Sequence, residues 1–170
     1  MEASYKVYLQ HITTFVFDVD GVLTDGSVMI TTEGQLLRSM SIKDGYALKA
    51  AVDSGYRICM ISGGTNEGVP VRLKGLGITD VFLGVHNKRE RLLAYLEANG
   101  IQAENVLYMG DDIPDLSVLR IAGLPCCPND AVSEVKAVCK YISHKNGGKG
   151  CVRDVIEQVL KVQGNWVIGE

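Results

Sequence analysis

The chain has 170 residues, room for one compact domain and too little for two ordinary ones. Hydrophobic residues make up 46% and charged residues 22%, a balance that excludes a disordered chain. Seventeen basic against twenty acidic residues leave a net charge of −3, the wrong sign for a general nucleic-acid binder.

Taken in chain order, apolar β-prone runs fall at 12–17, 56–61, 80–83, 106–109, 124–127 and 141–143. Helical patterns fill the gaps at 45–53, 67–75, 88–99, 114–122, 131–137 and 152–162. In the pattern from Lys88, Leu92, Leu93 and Leu96 share one face, and Asn99-Gly100 supplies the stop. This alternation predicts an α/β fold, a doubly wound parallel sheet with helices on both faces. One segment breaks it. At about 26–42 two β-prone runs flank Thr32-Glu33-Gly34, which predicts a β-hairpin inserted after the first strand. With no repeat, linker or low-complexity tract, residues 1–170 are expected to form a single domain.

Five cysteines, with Cys126 and Cys127 adjacent and no paired spacing, point to reduced thiols and a cytoplasmic setting. The vicinal pair is expected to fill a strand as small hydrophobes. The opening residues lack the basic and then apolar run of a secretion signal. No apolar stretch approaches the ~20 residues of a membrane span, so no membrane is expected as partner, and the net negative charge speaks against a nucleic acid.

The chemistry-bearing residues follow predicted strands. Asp18 and Asp20 come straight after 12–17, and Gly110-Asp111-Asp112-x-x-Asp115 follows 106–109. Ser62-Gly63-Gly64 follows 56–61, and Asn87-Lys88 follows 80–83 and its turn. In a doubly wound sheet, ligands bind beyond the carboxyl ends of the strands, so these loops are expected to converge. Carboxylates gathered in a cleft require a hard cation, and oxygen ligands point to Mg²⁺. A hydroxyl, backbone N–H groups and a lysine make an anion cradle, and the combination points to phosphoryl transfer. An EF-hand reading fails, because glycine falls at the fourth loop position and Met29 at the twelfth. Gly147-Gly148-Lys149-Gly150 lacks the spacing of a P-loop.

Asp18-x-Asp20-Gly-Val-x-Thr24, Ser62-Gly, Lys88 and Gly-Asp111-Asp112-x-x-Asp115, in that order, resemble the four motifs of the haloacid dehalogenase superfamily of phosphatases. The resemblance implies a Rossmann-like haloacid dehalogenase fold, with Asp18 as nucleophile and Asp20 as proton donor and acceptor. It implies that Ser62 and Lys88 hold the phosphoryl oxygens. Mg²⁺ would be held by Asp18, the Asp20 carbonyl and Asp111. Asp115 would act behind these groups, orienting Lys88 or a metal-bound water, a role Asp112 can share.

Only 43 residues separate Asp18 from Ser62 and 25 separate Ser62 from Lys88, which leaves little beyond the hairpin and predicts a capless enzyme. From Phe15 to about Trp166 the chain resembles the 3-deoxy-D-manno-octulosonate 8-phosphate phosphatases, through Phe17–Gly26, Lys43-Asp-Gly-Tyr46, Asn87-Lys88, Gly110-Asp-Asp112 and Gly147-Gly-Lys-Gly150. That resemblance implies a homo-oligomer, a tetramer formed through the hairpins, whose neighbouring subunits close the site. It implies substrate contacts from Ser41, Ile42, Lys43, Asp44, Gly45, Lys49 and Arg72, besides Asp20, Gly64 and Lys88. Two positions depart from the family pattern. Gly64 stands where an arginine often follows Ser/Thr-Gly, which removes one substrate contact, and Lys149 stands where an arginine is common. A nine-carbon keto acid 9-phosphate is the competing substrate. A catalytically silent oligomerisation module is the competing class, and the intact set of charged residues argues against it.

Overall fold

The computed structural model describes residues 4–167. Residues 1–3, which open the stretch read for a secretion signal, lie outside them, as do 168–170. A six-stranded sheet runs in the order β5-β4-β1-β6-β7-β8, and every pairing in it is parallel. Its strands are β1 (Thr14–Phe17), β4 (Arg57–Ile61), β5 (Asp80–Phe82), β6 (Val106–Met109), β7 (Leu124–Cys127) and β8 (Tyr141–Ile142). Each matches an expected strand to within two residues at either end. Parallel strands buried on both faces read as unbroken apolar runs, and β1, β6 and β7 are buried throughout. Cys126 and Cys127 are fully buried in β7, as expected of small hydrophobes.

Successive side chains of a strand point to opposite faces, and the core divides accordingly. Phe15 and Phe17 pack on one side with Leu48 of α2 (Ile42–Asp53), Leu73 of α3 (Gly68–Lys74) and Val155, Ile156 and Val159 of α7 (Cys151–Val162). Val16 packs on the other with Leu92 and Leu96 of α4 (Lys88–Asn99), Val118 of α5 (Leu116–Leu119) and Val135 of α6 (Ser133–Lys136). The helix α4 has the expected bounds. Asn87 caps its start by accepting from the Glu90 N–H at 3.1 Å, and Gly100 ends it at φ +64°.

The structure departs from the expected helices in four places. α2 begins three residues before the expected Gly45, because Ser41 caps it by accepting from the Asp44 N–H at 3.3 Å. A 3₁₀ turn with Pro114 in it, Ile113–Asp115, takes the start of 114–122, and only Leu116–Leu119 in its middle is α-helical. The helix expected at 131–137 shortens to Ser133–Lys136. A one-turn α1 (Lys6–Leu9), too short to show periodicity, packs near α7. Between β1 and α2, β2 (Met29–Ile30) pairs antiparallel with β3 (Leu36–Leu37) as a separate two-stranded ribbon.

The sheet register decides where the functional loops emerge. Phe17 at the end of β1 lies level with Met60 of β4 and Met109 of β6. The segments that follow, carrying Asp18, Ser62 and Asp111, therefore leave the sheet along one edge.

Candidate active site

A cleft of about 420 Å³ at that edge is lined by Asp18, Asp20, Ser62, Gly64, Lys88 and Asp111, with Asp112 at its margin. Asp18 is 8% exposed, and its Oδ1 accepts from the Val19 N–H at 2.7 Å. Lys88, at the start of α4, is 5% exposed and places Nζ 3.0 Å from Asp18 Oδ2 and 2.8 Å from Asp115 Oδ1. Burial works against the Lys88 charge, but Asp115 and Asp18 outweigh it and raise its pKa.

Asp115 is fully buried and fully partnered. Its Oδ1 accepts from Lys88 and from the Tyr108 hydroxyl at 2.7 Å, and its Oδ2 from the Asp111 and Asp112 N–H groups at 3.1 and 3.4 Å. Asp112 is exposed and caps the 3₁₀ turn, its Oδ1 accepting from the Ile113 N–H at 2.8 Å. It forms a reciprocal capping pair with Asp115.

Asp18, Asp111 and Asp115 each bring a carboxylate oxygen within 4.8 Å of the others. Asp115 is already committed to four donors, so Asp18 and Asp111 remain to meet a cation. Asp111 Oδ1 is buried without a hydrogen-bond partner. Burial, then the Asp18, Asp115 and Asp112 charges, push the Asp111 carboxyl up to about 7. Burial and then the Asp115 charge push Asp18 up to about 7, with Lys88 pulling it back. Three carboxylates thus face one ammonium. The two-charge deficit and the orphaned oxygen fit a divalent, oxygen-seeking cation such as Mg²⁺.

Backbone shape makes this approach possible. Gly21 adopts φ +85°, and a Cβ there would collide with the Asp111 carboxylate. Thr24, fully buried, accepts from the Gly21 and Gly26 N–H groups at 3.2 Å each and lies 3.5 Å from Asp20 Oδ1. The Gly147-Gly148-Lys149-Gly150 loop braces the same turn, with the Gly148 N–H donating to Val22 O at 2.9 Å. Ser62 is 2% exposed, and its Oγ accepts from the Gly64 N–H at 3.1 Å.

Asp20 is held by a residue the sequence reading missed. Arg38 donates from Nε to Oδ1 at 2.7 Å and from Nη2 to Oδ2 at 3.1 Å. It lies just past β3 with no motif around it, so only the return of the ribbon to the cleft reveals it. Tyr108 was missed likewise, as one apolar position in a buried strand.

The residues expected to contact substrate divide. Arg72 lies against Gly45 and shares with Arg38 a groove beside the cleft. Ser41, Ile42, Lys43, Asp44 and Gly45 do not line the cleft of their own chain; they are the cap and first turn of α2. Ile42 is 82% exposed, whereas Asp44 is 1% exposed and its Oδ1 accepts from the Arg153 N–H at 2.8 Å, stitching α2 to α7. Lys49 pairs with Asp53 one turn along α2, where it faces solvent.

A sheet of this order with these acidic, hydroxyl and lysine groups at its carboxyl edge defines a haloacid dehalogenase-like hydrolase, and the model of that family matches residues 74–156. The chain is 34% identical over 155 residues to the 3-deoxy-D-manno-octulosonate 8-phosphate phosphatase KdsC of Salmonella typhi, covering 91% of this chain and 82% of that protein. It therefore belongs to the family of the 3-deoxy-D-manno-octulosonate 8-phosphate phosphatases. The Moraxella catarrhalis phosphatase of that name, solved with magnesium, phosphate and KDO, superposes with a TM-score of 0.92 at 35% identity, over 95% of this chain and 93% of that one. The cobalt-bound Haemophilus influenzae enzyme gives 0.88 at 31% identity, over 92% of each chain.

Proposed function

We propose that the protein is a Mg²⁺-dependent phosphatase that hydrolyses 3-deoxy-D-manno-octulosonate 8-phosphate to the free sugar acid and phosphate, supplying a lipopolysaccharide precursor. The observation that carries this reading is Lys88 shared between Asp18 and Asp115, with the orphaned Asp111 oxygen beside them.

In this reading Asp18 attacks phosphorus, the bond from phosphorus to the sugar oxygen breaks, and Asp20 gives its proton to that leaving oxygen. Asp20, now ionised, takes a proton from water as the water attacks the aspartyl-phosphate. Phosphate leaves and Asp18 is restored. Lys88, Ser62 and the N–H groups around Gly63 and Gly64 stabilise the charge spread over the phosphoryl oxygens. Asp115 keeps Lys88 aimed at Asp18. Asp18 and Asp111 would hold Mg²⁺, with the Asp20 carbonyl, and the ion supplies neutralisation that lets carboxylates meet an anionic substrate.

The assembly belongs to the same reading. The ribbon exposes Met29 (69%), Ile30 (68%), Leu36 (43%) and Leu37 (47%), and Ile42 and Val71 are more exposed still. Such a patch on a small chain marks an interface, and in a tetramer formed through the ribbons the exposed Ile42, Lys43 and Lys49, unlike the buried Asp44 and Gly45, are free to face the cleft of another chain. The full set Asp18, Asp20, Ser62, Lys88 and Asp111 speaks against a silent oligomerisation module.

The test is Asp18→Asn, assayed for phosphate release with Mg²⁺. Turnover should vanish while thermal unfolding and oligomer size stay near wild type. Appreciable activity in that variant would remove Asp18 as the nucleophile.

A further inference from the structure

Arg38 occupies both oxygens of Asp20, the group to which the mechanism gives two proton transfers. The fork is well held: Nη1 donates to Leu36 O at 3.1 Å, and Asn66 Nδ2 donates to the same carbonyl at 2.9 Å. The Arg38 side chain is 11% exposed and that of Asp20 35%, so the guanidinium is largely out of water while the carboxylate it holds still faces the cleft. A carboxylate bound at both oxygens is poorly placed to protonate a leaving oxygen or to accept a proton from water. In this state the catalytic centre is masked.

The same guanidinium faces a second demand. It lines a groove of about 390 Å³ together with Leu37, Met40, Asn66, Val69 and Arg72, none of them acidic. Groove and cleft meet at Gly64, where a Cβ would lie 3.0 Å from Asp20 Oδ2 and 3.7 Å from Arg38 Nη2. Arg38 therefore stands between one carboxylate that it holds and a basic groove able to receive another. Passing the guanidinium from one carboxylate to the other exchanges like for like, so the move sacrifices no ion pair.

We propose that Arg38 is a latch on Asp20, released when a carboxylate of the substrate enters the groove beside Arg72. The proposal rests on the phosphatase reading and deepens it: full turnover requires a second anionic group on the molecule that carries the phosphate. Selectivity then comes from unmasking Asp20 as well as from affinity, as in other closures that assemble a site only around the correct substrate.

The test compares wild type, Arg38→Ala and Arg38→Lys, as full chains with Mg²⁺, on two substrates. One is 3-deoxy-D-manno-octulosonate 8-phosphate. The other is p-nitrophenyl phosphate, which has no carboxylate to draw the latch. Arg38→Ala should raise kcat on the aryl phosphate about threefold or more and lower kcat/KM on the sugar acid phosphate about tenfold or more. Arg38→Lys, limited to a single-point contact, should fall between. Equal loss on both substrates would make Arg38 only a support for Asp20 and overturn the latch. So would aryl phosphate turnover that does not rise in an active protein. A wild-type protein inert toward both substrates would overturn the phosphatase reading as well.

Discussion

Tyr108 donates its hydroxyl to Asp115 at 2.7 Å, and both residues are shut off from solvent. The phenol reaches Asp115 from the centre of the sheet, so the strand itself steadies the carboxylate that aims Lys88. Tyr108→Phe keeps the ring and leaves one Asp115 lone pair unmet. Removal of a buried hydrogen bond to a charged group predicts a loss of about 1.5–3 kcal/mol in unfolding free energy. Because Lys88 and two backbone N–H groups still hold Asp115, turnover should fall by no more than about tenfold. Chemical denaturation and phosphate release on the same sample check both. Unchanged stability would contradict the account of this hydrogen bond.

Metal removal should act on the fold as well as on the chemistry. A cation at Asp111 relieves the repulsion between Asp18 and Asp111, so it binds the folded chain and not the unfolded one. At a free concentration 100 times its Kd, Mg²⁺ should add about 2.7 kcal/mol of stability. Chelation should abolish turnover and lower the unfolding temperature, and re-addition should restore both. An unfolding temperature indifferent to Mg²⁺ would count against a cation between these two carboxylates.

Asp44 gives a pH signature remote from the catalytic cleft. Burial is the main influence on its carboxyl and raises its pKa, against the pull of the Arg153 and Gly150 N–H groups. A raised folded-state value means that the folded chain holds a proton the unfolded chain releases. The stability from this group is fully present below the unfolded carboxylate value of about 3.9 and is lost as pH rises through the folded value. Asp44→Asn lacks that slope. The stability difference between wild type and variant should therefore move in favour of wild type as pH falls from 7 toward 4. Denaturation at a series of pH values measures it, and a difference independent of pH would contradict the burial of an ionisable group there.

The groups that line the cleft were legible in the sequence because each stands directly beyond an apolar run. The parallel register of β1, β4 and β6 then carries Asp18, Ser62 and Asp111 to one edge. Lys88 was legible because it follows the strand at 80–83 and its short turn, at the start of a helical pattern. Arg38 and Tyr108 were not, since one is positioned by a ribbon folding back and the other by its facing within a buried strand. Asp44 carries a polar letter in a motif-like segment, yet tertiary packing turns it inward onto the start of α7. Lys49 shows the reverse limit, because a lysine at helical spacing from Asp53 satisfies itself locally.

The measurement that tests the central claim most directly is Mg²⁺-dependent phosphate release from three substrates side by side. These are 3-deoxy-D-manno-octulosonate 8-phosphate, a nine-carbon keto acid 9-phosphate and p-nitrophenyl phosphate. The account predicts a preference of about a hundredfold or more in kcat/KM for the octulosonate, a discrimination of roughly 2.7 kcal/mol. Equal or better turnover of the nine-carbon acid would contradict the assigned substrate, and no turnover of any of them by folded, Mg²⁺-loaded protein would contradict the chemistry itself.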